Sequence, residues 1–480
     1  MYEVHISPRP LEPLAQLIGP ERVRRLARDA QELRGLLGKA AIWSINSTSA
    51  GGGVAEMLRS YLRYARGEDI DARWLVLEAP PEFFRLTKRL HGALQASRSD
   101  ASPLGPEQSA IYEQALATNT VTLDTLVRPG DLVICHDPQT AGLVPHLLKL
   151  GAKVVWRCHI GYEGQDGEVD RGWSFLRPYL ENVPMAVFTR AGYAPAWLRG
   201  KRMMVLPPNI DPFSAKNQPM DDATVRAILA RVGLVEGPPG PGAALFVRDD
   251  GSKGRVDRMA EVLCVGPSPS WDTPLVVQVS RWDVMKDHAG VLDAFARLVE
   301  PNAPGGAHLV LAGPSIDAVA DDPEAGRVFD DLERRWRALP EARRRSIHLA
   351  VLPMADLDEN AAITNALQRH AAVVVQKSLR EGFGLTVTEA MWKRRPVVAS
   401  GVGGIQDQIR DGVDGLLLRS PNDLPEFARL LRLALGDDAL ARRLGDSAYE
   451  RVRENFLVDC ALDHWAQLAR ELIGARSEAA

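Results

Sequence analysis

The sequence predicts an α/β protein made of two doubly wound parallel sheets in series. Three observations predict it. Apolar runs of only a few residues alternate with helical stretches in both halves, as expected for parallel strands covered by helices on both faces. At 480 residues the chain exceeds one ordinary core, so two domains are expected. The apolar runs end at polar clusters, and in a doubly wound sheet ligands gather at those strand ends.

Residues 1–38 read as an N-terminal helical extension. Leu14, Leu17, Ile18, Leu26, Leu33 and Leu37 recur at roughly helical spacing, with charged residues on the other face. This suits a covering helix, and a homodimer contact is the second use for it. The first sheet domain spans 39–208. Its strands are Ala41–Ile45, Ala72–Leu77, Leu132–Cys135, Val154–Trp156 and Met203–Leu206, the last stopped by Pro207 and Pro208. A glycine-rich turn, Gly51-Gly52-Gly53, follows the first strand and opens a helix over Val54–Tyr64.

The second domain spans 209–455 and begins with an excursion over 236–274. The run Gly237-Pro238-Pro239-Gly240-Pro241-Gly242 is expected to be irregular. Strands resume at Leu275–Val279, His308–Ala312, Ile347–Val351, Ala372–Val375 and Pro396–Ala399. Helices close the chain from about Pro425 to Leu472.

Composition excludes several function classes. Hydrophobic residues make up 45% and charged residues 25%, with a formal net charge of −4. That balance argues against nucleic acid or an anionic membrane as a partner. Four scattered cysteines, Cys135, Cys158, Cys264 and Cys460, have neither metal-ligand spacing nor the density of a disulfide framework. Cys135 and Cys158 sit in apolar strands and read as small core residues. The absence of a leader-like or membrane-spanning run predicts a cytoplasmic protein.

The most informative segment runs from Arg380 to Glu389, Arg-Glu-Gly-Phe-Gly-Leu-Thr-Val-Thr-Glu. Glu381 follows a strand, and Glu389 falls in a helix starting near Leu385. The first N–H groups of that helix favour an anion, and Gly382 and Gly384 let backbone approach a ligand closely. Glu389 suits a ribose diol and Glu381 suits sugar hydroxyls; both also suit a helix-start carboxylate serving the dipole. Arg281 leaves another strand end with Lys286 five residues on. Two such cations can stabilise a departing diphosphate, and losing one preorganised donor of this kind costs about 3 kcal/mol. The loop Gly401-Val402-Gly403-Gly404 is either a tight turn or a further point of phosphate or sugar approach.

In the first half, the turn from Ser47 to Gly53 is neither a dinucleotide fingerprint nor a P-loop. Glu78, at the end of the next strand, keeps a dinucleotide fold as a minor rival. His136-Asp137-Pro138-Gln139 and Arg157-Cys158-His159 both end strands. His136 reads as structural and His159 as a sugar contact. No histidine spacing points to a metal.

These residues resemble the retaining nucleotide-sugar glycosyltransferases of glycosyltransferase family 4. Glu381 and Glu389 look like that family's paired acids, and Arg281 with Lys286 look like its diphosphate-binding pair. The likeness is strongest to trehalose-forming synthases and trehalose phosphorylases. It is carried by the stretch from Asn46 to Glu56, by Ala72-Arg73-Trp74, Glu82-Phe83-Phe84 with Thr87-Lys88, His136–Gln139, Trp156–His159 and Glu389–Lys393.

The resemblance implies a GT-B fold, two Rossmann-like domains facing a cleft, with a closing helix at 456–474 packed back on the first domain. It implies a donor site of Gly52, Gly53, Arg281, Lys286, Glu381, Gly382, Phe383, Gly384, Leu385, Thr386 and Glu389. Asp137, Gln139, Arg157 and His159 would hold the acceptor, and Arg281, Lys286, Glu381 and His159 would serve the reaction. Glucose would pass from a nucleoside diphosphate glucose to glucose, giving α,α-trehalose with retention and no protein nucleophile. The co-substrate is then the nucleotide sugar, with no tightly bound cofactor and Mg2+ at most stimulatory. A phosphorylase would use the same groups with inorganic phosphate, and a silent sugar-nucleotide sensor is the alternative from another class. A glycosidase fits less well, because the two acids share one loop and helix beside a cation pair.

Overall fold

The computed structural model describes residues 1–49, 52–97, 103–237, 244–298, 306–316 and 324–474. The chain divides into two compact units, Met1–Asn209 with Phe456–Ala480, and Ile210–Asn455.

The first unit contains strands β1 (Tyr2–Val4), β2 (Ile42–Asn46), β3 (Ala72–Val76), β4 (Leu132–His136), β5 (Lys153–Cys158), β6 (Met185–Phe188) and β7 (Met203–Val205). They form one sheet in the order β1-β3-β2-β4-β5-β6-β7. All neighbours are parallel except β1, which pairs antiparallel with β3. Because β3 lies on one side of β2 and β4 on the other, the chain reverses its winding there. The carboxyl ends of β2 and β4, at Asn46 and His136, therefore flank the switch point where such sheets bind ligands.

Period-two alternation builds the core. Trp43, Ile45, Val133, Cys135, Val154, Trp156 and Cys158 are buried in one cluster with Leu90, Tyr112, Trp173 and Phe188. Trp156 meets Trp173 and Phe188 edge-on, with centroids 6.0 and 5.9 Å away. Asp131 ties the starts of β2 and β4 together by accepting from Ala41 N at 2.9 Å and Trp43 Nε1 at 3.0 Å. The free thiols Cys135 and Cys158 are buried as packing residues.

Residues 1–38 are not helical throughout, which corrects the sequence reading. Tyr2–Val4 forms an edge strand, Glu12–Leu14 is a single 3-10 turn, and the long helix spans Pro20–Leu37. Gly19, at φ 84°, breaks the helical path, and Pro20 suits the first position of the long helix. The closing helix Val458–Gly474 packs along this one. Ion pairs join them, Arg22 to Asp459 and Arg470 to Asp29 and Glu32.

The second unit repeats the design. Strands β8 (Leu245–Val247) and β9 (Lys253–Arg255) form a hairpin. Strands β10 (Glu261–Leu263), β11 (Leu275–Val279), β12 (His308–Pro314), β13 (Ile347–Leu352), β14 (Val373–Gln376), β15 (Val397–Ser400) and β16 (Leu416–Leu418) follow. They form a sheet in the order β10-β13-β12-β11-β14-β15-β16, parallel except for β10. The switch point falls between β11 and β14.

The excursion at 236–274 is more regular than its composition predicts; its residues 238–243 lie outside the described residues. Arg248 binds Asp356 through two nitrogens, at 2.9 and 2.6 Å, and docks the hairpin on the helix Leu357–His370. Glu359 accepts from the backbone of Asp257 and Arg258 at 2.7 and 2.8 Å. Strand β10 then covers the edge of β13, leaving no long bare edge there. Among the described residues no helix is long and apolar enough to cross a membrane.

Candidate active site

In the second unit, β11 ends at Val279 and β14 at Gln376, so the loops after them emerge side by side at the switch point. The loop after β11 carries Ser280, Arg281 and the turn Val284–Lys286, capped by Asp283 accepting from Met285 N at 2.8 Å. The loop after β14 carries Lys377, Ser378 and Glu381. Three contacts lock the loops to each other and to the sheet. Leu379 N donates to Met285 O at 2.7 Å. Gln278 Nε2 donates to Lys286 O at 2.9 Å. The buried Lys377 ammonium pairs with Asp287, which adopts left-handed backbone at φ 51°.

The result is a direct contact between two expected site residues. Lys286 Nζ lies 2.5 Å from Glu381 Oε2, and Ser378 Oγ donates to the same oxygen at 3.1 Å. Arg281 is more open, 52% exposed, and reaches Asp283 at 3.3 Å. Its side chain is therefore aimed at its own turn, while Lys286 is aimed at Glu381.

The Gly382–Gly384 stretch enters the helix Leu385–Trp392 through Gly384 at φ 90°, a conformation that favours glycine. The first turn of that helix presents the N–H groups of Leu385 and Thr386 without intrahelical acceptors. Gly404 packs against the stretch, its N donating to Gly382 O at 3.2 Å. A Cβ on Gly404 would lie 2.7 Å from Phe383 Cα. Gln408 then clamps the turn, donating to Phe383 O at 2.5 Å while accepting from Thr388 Oγ1 at 2.6 Å. So Gly404 is a packing partner of the glycine turn. Phe383 is buried.

Glu389 lies one helical turn inward, its side chain only 3% exposed, with Lys216 Nζ at 3.4 Å from Oε1. Lys393, four residues on, is buried and bonds Gln368 Oε1 at 2.8 Å, Asn217 Oδ1 at 3.1 Å and Glu389 O at 3.1 Å. Burial pushes the Lys393 ammonium well below the usual lysine range, and the nearby Glu389 opposes that.

In the first unit, β4 and β5 deliver His136, Asp137, Arg157 and His159 to adjacent places. His136 Nδ1 and His159 Nε2 are 3.0 Å apart and the rings stack. Asp137, at φ 62°, accepts from His159 N at 2.7 Å. Burial pushes its carboxyl up to about 7, against the His159 N–H and the Arg157 charge. Burial and Arg157 hold both imidazoles well below the usual histidine range, so they are neutral.

Arg157 is wholly buried, its guanidinium over the Trp465 ring at 5.3 Å and beside the Tyr61 hydroxyl without completing a hydrogen bond. Gln139 is half-buried in the turn Asp137–Thr140. Gly52, at φ 86°, caps the helix Gly53–Gly67; Gly51 lies outside the described residues.

Several site neighbours escaped the sequence reading, among them Lys216, Lys377 and Gln408, while Lys393 entered it only as the end of the Glu389–Lys393 segment. Lys377 alone had a signal, since it directly follows a strand. The described residues contain no cluster of three or more His, Cys, Asp or Glu side chains able to hold a metal.

The chain is similar to known families and proteins. Residues 44–195 match the family model of the trehalose synthase N-terminal domain, and 268–451 match that of glycosyl transferases group 1. A trehalose synthase of Pyrococcus horikoshii is 33% identical over 99% of this chain and 100% of its own length. One of Rubrobacter xylanophilus is 34% identical over 94% of this chain and 95% of its own. A trehalose phosphorylase of Pleurotus pulmonarius is 26% identical over 92% of this chain and 58% of its own length. Among solved structures, the α,α-trehalose 6-phosphate synthase of Burkholderia multivorans matches with a TM-score of 0.66 at 18% identity. That match covers 91% of this chain and 99% of the other, and it speaks to the fold alone.

Proposed function

We propose, for a chain that belongs to the trehalose synthase family of group 1 glycosyl transferases and has the GT-B fold, that this glycosyltransferase makes α,α-trehalose from a nucleoside diphosphate glucose and glucose. The observation that carries the reading is the Lys286–Glu381 contact at the switch point of the second sheet, one turn from the start of the Leu385–Trp392 helix. A cation and a sugar-binding acid held side by side suit a glucose whose C1 bears a departing phosphate.

In this reading Glu389 accepts the ribose diol, and the Gly382–Thr386 backbone meets the phosphates and base. Glu381 takes the glucose 3- and 4-hydroxyls. Lys286 and Arg281 stabilise the diphosphate as the C1–O bond breaks. The acceptor hydroxyl forms its new bond to C1 on the same face, and its proton passes to the departing phosphate oxygen. The first unit supplies Asp137, Gln139 and His159 to the acceptor, and Gly52 and Gly53 to the donor. Arg157, buried against Trp465, acts there through the charge it places beside Asp137 and the two histidines.

No tightly bound cofactor is required by these groups, and Mg2+ would only assist. We place the reaction in the cytoplasm. A homodimer through residues 1–38 would have to use the exposed helix face, because Leu26, Leu33 and Leu37 are buried within the unit.

A phosphorylase reading is kept alive by one feature: Lys286 and Arg281 would serve inorganic phosphate equally well. One experiment separates the readings. The protein is incubated with glucose and ADP-, GDP- or UDP-glucose in turn, and separately with trehalose and phosphate, and products are identified by NMR. Trehalose formed from a nucleotide sugar supports the synthase. Glucose 1-phosphate formed only in the phosphate arm would replace it with the phosphorylase, and no turnover in any arm would leave a sensor.

A further inference from the structure

Lys216 occupies a place that no site assignment covers. Its ammonium is 3.4 Å from Glu389 Oε1, and its side chain is 22% exposed. The segment around it is rigidly mounted. Asn217 O accepts from Trp392 Nε1 and from Arg369, each at 3.2 Å. Asn217 Oδ1 accepts from Lys393 Nζ at 3.1 Å. Asn365 Nδ2 donates to Ala215 O and Gln218 O at 3.1 and 3.0 Å. Gln218 in turn exchanges two bonds with Val247 of the hairpin, at 2.7 and 3.0 Å. The residues on both sides of Lys216 are thus fastened to the helices that flank Glu389.

This mounting has a physical reason. An almost fully buried carboxylate is costly without a partner. At 3.4 Å, Lys216 supplies counter-charge without saturating the oxygens, and a carboxylate can accept about four hydrogen bonds. Lys393 does not compete for them, because its bond to residue 389 goes to the backbone oxygen. We infer that Lys216 is a positioning residue for the donor ribose: it orients the Glu389 carboxylate and balances its charge while leaving oxygen lone pairs for the ribose hydroxyls. The inference rests on the reading of Glu389 as the ribose acceptor.

The test measures binding, so it does not depend on turnover. Calorimetry gives the affinity of wild type, Lys216→Met and Lys216→Arg for ADP, GDP and UDP and for their 2′-deoxy counterparts. Using the nucleotide that binds best, wild type is expected to prefer ribose over deoxyribose about 10-fold, the scale of one hydrogen bond to a charged group. Lys216→Met is expected to bind the ribonucleotide about 10-fold more weakly and to lose most of that preference, since the two changes act on one carboxylate. Lys216→Arg is expected to keep it.

An unchanged preference in Lys216→Met would overturn the inference while leaving Glu389 in its role. A wild type indifferent to the 2′-hydroxyl would remove the ribose reading itself, and the role of Lys216 with it. Thermal melts of both variants separate these results from misfolding, because a misfolded Lys216→Met leaves Lys216→Arg to decide. Loss of preference in Lys216→Arg with a wild-type melt would also count against positioning by charge.

Discussion

Lys286 and Glu381 are separated by 95 positions in the chain and meet at 2.5 Å. The contact is built by two parallel strands, β11 and β14, whose ends are adjacent only because the winding reverses between them. Neither side chain is fully open, at 17% and 10% exposure, so their attraction is less screened than that of a surface pair. A ligand entering here meets a charge pair already arranged.

Removing the cations tests that arrangement. Lys286→Met and Arg281→Ala should each lower turnover at least about 100-fold, the scale set by deleting one preorganised donor. Arg281 is half-exposed, so its loss should leave the thermal midpoint nearly unchanged. Near-normal initial rates for Arg281→Ala would assign diphosphate stabilisation to Lys286 alone.

Glu389→Gln should weaken donor binding about 10-fold or more while the KM for glucose stays put. Equal loss for donor and acceptor, measured by separate titrations, would mean that the helix itself had moved.

Gly404 tests the glycine turn through space, since its own φ of −69° would accept any residue. Gly404→Ala drives a methyl to 2.7 Å from Phe383 Cα and 2.8 Å from Gly382 O. The turn must shift, so stability should fall by about 1–3 kcal/mol, as for other overpacked sites. Donor KM should rise with it. A variant with wild-type donor KM would show that the Gly382–Gly384 backbone does not touch the nucleotide sugar.

Acid should destabilise the fold through its buried histidines. Burial holds His288 down to about 3, and His348 and His370 to about 4. A histidine with a lowered folded pKa contributes stability above the unfolded value of about 6.5, and that contribution is lost as pH falls below it. Asp137, raised to about 7, works the other way, since its contribution is lost as pH rises from about 4 to 7. Burial also raises the Glu68 and Asp459 carboxyls, so among the described residues six lowered histidines oppose three raised carboxyls, and the thermal midpoint should drop from pH 7 to pH 5. His288→Gln should make that drop shallower by close to one proton's slope in calorimetric scans.

The strand-end cations and acids were legible because a short apolar run announces where a buried parallel strand stops, and β11 and β14 stop where Val279 and Gln376 do. Strands without a clear run went unread. Tyr2–Val4, Glu261–Leu263 and Leu416–Leu418 have three residues each and Met185–Phe188 has four, and none ends at a proline pair like the one that marked the equally short Met203–Val205. The partners of the site were hidden for another reason. Lys216 meets Glu389, and Lys377 meets Asp287, through tertiary folding that no local pattern encodes. The stacking of His136 on His159 was equally invisible, although both strand ends were identified.

The helix Val458–Gly474 belongs to the first unit while the whole second unit lies between it and the rest of that unit in the chain. During synthesis, residues 210–455 emerge as one continuous stretch and can fold as soon as they leave the ribosome. The earlier unit has to wait with the inner faces of Pro20–Leu37 and Gly53–Gly67 uncovered until the closing helix is made. The amino-terminal half therefore finishes last, and stalled or truncated chains should be recognised by chaperones through that half.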